Sequence, residues 1–145
     1  MKIKTISALI LLFSILVTGC SGKTTDNIEK RNGLAYAPNE TEPFTGTLEM
    51  NHPSGHKKLK EHYEKGLANG RSVVWHDNGE KAFEADFENG ILDGVETYWY
   101  EDGQKSRETH YKNGTVNGTM TQWDGEGHKV EKEYKNGVKI SEEWG

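Results

Sequence analysis

Cysteine occurs once in these 145 residues, proline three times, and aliphatic side chains are scarce beyond the first twenty positions. Thirteen of the 47 apolar residues fall at 1–20; the other 125 positions hold 34, of which only 17 are Leu, Ile, Val or Phe. A lone cysteine excludes a disulfide framework. So few large aliphatics exclude the thick core of a conventional α/β enzyme. Positive charge is not in surplus either. The net charge is −5, and without Lys2 and Lys4 the remainder carries 16 basic against 23 acidic residues, or −7. The basic footprint of a nucleic-acid binder is missing.

What is present begins with an address. Lys2 and Lys4 precede an apolar run from Ile6 to Val17, interrupted only by Ser7 and Ser14. The run is shorter than the ~20 residues of a membrane span, so residues 1–19 read as a removed signal peptide. It ends in Val17-Thr18-Gly19-Cys20, which resembles the bacterial lipobox. The resemblance implies cleavage between Gly19 and Cys20, lipid (palmitate among the acyl chains) on the Cys20 thiol, and anchoring at the membrane. Several acyl chains on one residue exceed the two-signal requirement for stable anchoring. Ser21 follows where an inner-membrane retention signal would carry Asp, which points to the outer membrane. Residues 20–32 then read as the lipidated cysteine and a polar tether.

The rest repeats with a period of 24. Gly46, Gly70, Gly94 and Gly118 keep that spacing, as do Gly55, Gly79, Gly103 and Gly127. Gly66, Gly90 and Gly114 continue it, and Gly137 follows after 23. Aromatics keep the same beat, with Trp75, Trp99 and Trp123 in one series and Tyr63, Phe87, Tyr111 and Tyr134 in another. The repeat domain spans 33–145: a degenerate copy at 33–65, full copies at 66–89, 90–113 and 114–136, and a half-copy at 137–145. Asn78-Gly79, Asp102-Gly103, Asn89-Gly90, Asn113-Gly114 and Asn136-Gly137 supply pairs that tolerate positive φ in tight hairpins. The segments between them are β-branched, aromatic or alternating, and no helical period of useful length occurs after residue 20. The expected class is all-β.

Trp99-Tyr100-Glu101-Asp102-Gly103-Gln104-Lys105, Tyr111-Lys112-Asn113-Gly114 and their equivalents one period away resemble the variant MORN repeat of bacterial proteins. Gly33-Leu34-Ala35-Tyr36 and Glu42-Pro43-Phe44-Thr45-Gly46 resemble the segment that opens such arrays. The resemblance implies an elongated single-layer meander of β-hairpins in which each unit touches only its neighbours. Some members of the family are labelled antitoxins.

Candidate chemistry is sparse. His52 and His76 are one period apart and could lie side by side as a weak metal or pH-sensitive pair, but solvent-facing strand positions explain them more simply. His56 with His128, and His62 with His110, are too far apart in the array to meet, and no zinc-type spacing exists. Ser54, Ser72, Ser106 and Ser141 lie in no nucleophile elbow. Carboxylate pairs such as Glu84/Asp86 and Glu142/Glu143 fit a solvated strand face. Catalytic residues, metal ligands and cofactors are therefore expected to be absent.

Tyr63, Trp75, Phe87, Trp99, Tyr111, Trp123 and Tyr134 are expected to form the repeat core. Tyr98 and Tyr100, taken as opposite to Trp99 by strand alternation, are candidate binding residues, with Trp144 near the C-terminus. The expected function is a lipid-anchored, non-catalytic binding or scaffold module at the bacterial cell envelope, whose partner is another protein or an envelope component. An antitoxin or immunity-type protein is the alternative, and an envelope hydrolase a distant third.

Overall fold

A computed structural model describes residues 22–145. The expected signal peptide, Gly19, Cys20 and Ser21 lie outside the described residues. Within them are thirteen strands and no helix. A short lead-in holds β1 (Lys23–Thr25), β2 (Glu29–Arg31) and β3 (Leu34–Tyr36). Then come β4 (Gly46–Asn51), β5 (Lys57–Glu64), β6 (Leu67–Ala68), β7 (Gly70–Trp75) and β8 (Lys81–Glu88). The chain continues through β9 (Ile91–Trp99), β10 (Lys105–Lys112), β11 (Thr115–Trp123), β12 (Lys129–Lys135) and β13 (Val138–Trp144). One open sheet runs β1-β4-β5-β7-β8-β9-β10-β11-β12-β13, with β6 also on β5, while β2 and β3 form a separate hairpin. From β4 onward every pairing is antiparallel between successive units, so the array is the single-layer meander expected.

Glycine sets the repeat. Asn89, Asn113 and Asn136 each have φ 49°, followed by Gly90, Gly114 and Gly137 at 81°, 74° and 80°, the paired positive values of a tight hairpin turn. The glycine amides of Gly66, Gly90, Gly114 and Gly137 donate to the carbonyls of Phe44, Ala68, Leu92 and Val116 at 2.7–2.8 Å, tying each turn to the preceding unit. Gly114 is also tightly placed: a Cβ there would lie 3.0 Å from Cγ2 of Ile91, which would have to move aside.

Bulges recur with the same period. Opposite the last two residues of β4, β7 and β9, the returning strand carries one extra residue: Lys58, Ala82 and Ser106. The pair β11–β12 runs Gln122↔Val130, Trp123↔Lys129 without one. The step of 23 between Gly114 and Gly137 thus deletes a bulge and leaves the hairpin straighter.

Part of the stretch read as a tether is structured. β1 pairs in parallel with β4, Lys23 opposite Gly46, and β2 pairs with β3. Backbone pairing needs no apolar pattern, which is why these polar strands leave no mark in the composition. Gly46 permits the contact, because a Cβ there would sit 2.0 Å from the Lys23 carbonyl oxygen. The lead-in also supplies the apolar core: Ala35, Ala37, Phe44, Leu48 and Tyr63 are all buried together. Of the aromatics expected to form the repeat core, Tyr63 is buried, whereas Trp75, Phe87, Trp99, Tyr111, Trp123 and Tyr134 are half-buried. A single layer has no second sheet to close over them.

Candidate functional site

The turns at 52–55, 76–79, 100–103 and 124–127 share one long edge of the sheet, and polar side chains lace that edge together. Nε2 of His52 bonds the Trp75 carbonyl at 2.8 Å, and Nε2 of His76 bonds the Trp99 carbonyl at 3.1 Å. A carbonyl only accepts, so each Nε2 carries the proton. One period further, the Tyr100 hydroxyl donates to the Trp123 carbonyl at 2.9 Å. His52 and His76 therefore do not pair with each other; each fastens its own turn to the next repeat. Tyr100 itself is not on β9 but opens the turn, its amide donating to the Gln104 carbonyl at 2.8 Å. Strand alternation stops one residue before it.

A second periodic series escaped the sequence reading although its signal was present. Lys57, Lys81, Lys105 and Lys129 are 24 apart. The Nζ of Lys81 sits 5.5 Å from the Trp99 ring centroid and that of Lys105 sits 6.0 Å from Trp123, so each tryptophan packs under a lysine of the preceding repeat.

The central repeat departs from the others on the opposite face. In register, Met50/Leu59, Val74/Phe83 and Gln122/Val130 correspond to Tyr98/Arg107. The Arg107 guanidinium lies 4.3 Å from the Tyr98 ring centroid, and its Nη2 donates to Glu96 Oε2 at 3.3 Å. Glu96, 6% exposed, stands where the flanking units have Ser72 and Met120. Burial, then Glu96, pushes the Tyr98 phenol above the ordinary tyrosine value, and Tyr111 is raised by the same causes. The Tyr98 ring also meets Phe83 edge-on, centroids 4.9 Å apart. The signal for Glu96 and Arg107 is their break with the repeat, not any motif.

This cluster floors a cavity of about 380 Å³ lined by Tyr98, Tyr100, Ser106, Arg107, Gln122 and Trp123. A second cavity, of about 340 Å³, shares Gln122 and Trp123 and extends to His128, Lys129, Val130 and Trp144. Both lie in the C-terminal half of the array, and between them their walls include all three candidate binding residues, Tyr98, Tyr100 and Trp144; Tyr98 is half-buried, Tyr100 is 38% exposed and Trp144 is 79% exposed. Trp123, assigned to the core from sequence, borders both cavities, while strand alternation turns its ring to the face of Lys105, opposite Tyr98 and Gln122.

The remaining histidines are engaged locally. His56 Nδ1 bonds the Asp77 carbonyl, His62 Nδ1 the Thr47 hydroxyl, His110 Nδ1 the Thr119 carbonyl, and His128 Nδ1 the Asp124 carboxylate. Among the described residues, no group of three or more His, Cys, Asp or Glu side chains is placed to hold a metal ion.

No curated protein matches the chain. Residues 92–113, which contain Glu96, Tyr98, Tyr100, Ser106 and Arg107, match the model of the MORN repeat variant.

Proposed function

We propose that the protein is a lipid-anchored, exported and non-catalytic binding module of the cell envelope, held at the membrane through Cys20 and engaging its partner through the surface that Tyr98, Tyr100 and Trp144 line. A repeat-based binding or scaffold module is what variant MORN repeats suggest. The observation that carries the finer reading is the pair of neighbouring cavities, whose walls include Tyr98, Tyr100 and Trp144. Exposed aromatic side chains gathered about a concavity are the usual mark of a contact surface. The lipobox-like Val17-Thr18-Gly19-Cys20 supports the anchor.

The test has two arms. Cys20→Ala should abolish fatty-acid labelling and release the protein from the membrane fraction; a variant that still labels and sediments with membranes contradicts the anchor. Trp144→Ala should weaken capture of envelope components by the anchored wild-type fold, and unchanged capture contradicts the binding surface. An immunity role, with the same surface covering a toxin, would gain over a scaffold role if a toxic effector were encoded alongside.

A further inference from the structure

We infer that two copies of this chain pair through the outer edge of β13, antiparallel and across a two-fold axis at Ser141. The two ends of the sheet are treated differently. β1 covers the edge of β4, whereas β13 pairs with β12 alone among the described residues. Every residue of β13 is exposed, including Val138 at 65%, Ile140 at 61% and Trp144 at 79%. An unpaired row of main-chain donors and acceptors is a template for another strand.

Hydrogen-bond phase fixes which groups that edge offers. Lys129 and Gly145 exchange both main-chain bonds, at 3.1 and 3.0 Å. Bonded and unbonded pairs alternate along an antiparallel ladder, so Glu143 and Ser141 also bond inward, to Glu131 and Glu133. The main-chain groups of Trp144 and Glu142 therefore point outward. Ile140 is an extra residue in the ladder, and beyond it Val138 closes the Asn136-Gly137 hairpin with Lys135. That turns the main chain of Lys139 outward as well. Its side chain shares a face with Glu142, and its Nζ donates to Glu142 Oε2 at 2.5 Å.

Three outward residues allow few antiparallel registers between copies, and charge selects among them. With Glu142 on the axis two carboxylates stand face to face, and with Lys139 there two ammonium groups do. With Ser141 on the axis, Lys139 of each copy lies opposite Glu142 of the other, in two bonded pairs with the two Ser141 residues facing between them. Registers centred elsewhere leave Lys139 and Glu142 without each other. This self-complementarity names a second copy as the occupant, since a foreign strand carries no such requirement. The axis stands perpendicular to the sheet, so the array continues as one sheet through both copies. One short strand per copy makes a small contact, so the pairing is reversible and the dilute chain keeps its bare end.

Sedimentation velocity on the full-length chain in detergent, at increasing protein concentration, reads the pairing. The wild type should pass from monomer to dimer. Lys139→Glu and Glu142→Lys should each raise the dimer dissociation constant at least about tenfold, since each sets like charges opposite each other twice. An equimolar mixture of these two variants restores opposite charges at both contacts and should dimerise like the wild type. Circular dichroism checks that each variant keeps its β-sheet. Ser141→Cys should form an intermolecular disulfide on mild oxidation, because facing Cα atoms about 4.5 Å apart in an unbonded pair lie within disulfide reach. Glu143→Cys, which this register sets opposite Val138, should crosslink no more than the wild type with Cys20 alone. A wild type that stays monomeric at every concentration overturns the inference. So do dimers indifferent to both charge reversals, a mixture that stays monomeric, or equal crosslinking from Ser141→Cys and Glu143→Cys. Should Ser141→Cys crosslink to an envelope protein and never to itself, the edge receives a foreign strand and the second copy is wrong.

Discussion

Ala35, Phe44, Leu48 and Tyr63, at the N-terminal end of the array, are each less than a tenth exposed, whereas every residue of β13 at the other end is exposed. Both ends are built on the same 24-residue plan. The difference is what lies beyond the outermost hairpin. At the N-terminal end the lead-in folds back: the Ala35 amide donates to the Gly66 carbonyl and the Phe44 amide to Ala35, both at 2.8 Å, while β1 covers the edge of β4. Phe44 then packs on Tyr63, ring centroids 6.0 Å apart. At the C-terminal end β13 pairs with β12 alone among the described residues and leaves Val138, Ile140 and Trp144 in solvent. In an array where each unit is stabilised by its neighbours, stability should descend from the covered end to the bare one. Both cavities lie in the half expected to be less stable, where a bound partner can still order their walls.

The largest expected effect is at the covered end. Phe44→Ala removes a ring that is 3% exposed and should cost about 3–5 kcal/mol in a urea unfolding experiment. A cost near zero would remove the distinction between the two ends. In mid-array, Trp99 is half-buried beneath Lys81, so Trp99→Ala should cost about 2 kcal/mol by the same measurement, roughly half of a full core truncation.

The covered end should also be the alkaline-sensitive one. Burial first, and then the hydroxyl donated to Glu61 at 2.6 Å, raise the Tyr63 phenol well above the ordinary 10.0. A folded-state pKa above the unfolded one gives stability that is complete below pH 10 and drains away as the pH climbs toward the folded value. Tyr63→Phe should therefore flatten the loss of stability above pH 10; an unaltered alkaline profile would mean that another group controls it. The smallest effect belongs to the bare end. Trp144→Ala should change the unfolding free energy from urea titration by no more than about 0.5 kcal/mol, since its ring is mostly in solvent.

The sequence was most legible where backbone conformation demands a residue type. Asn-Gly turns with positive φ announce themselves, and so do Gly94 and Gly118, at φ 126° and 106°, where β9 bulges against β8 and β11 against β10. Those positions set the period, and the period sets the strands. Legibility fails where the backbone makes no such demand. Lys23, Thr24 and Thr25 pair with β4 through main-chain groups alone, so this polar strand has the composition of a tether. Tyr100 lies one residue beyond the reach of strand alternation, in the turn that Asp102-Gly103 marks. Glu96 and Arg107 are illegible for another reason: periodicity marks what the units share, and these two residues are where the central repeat differs from its neighbours.

Native-state hydrogen exchange, resolved by residue, reads the gradient between the two ends without any substitution. Amides of β4 and β5 should be the slowest to exchange, those of β8 to β10 intermediate, and those of β12 and β13 the fastest. Uniform protection across all the strands, or the slowest exchange in β12 and β13, would contradict an array stabilised from its covered end.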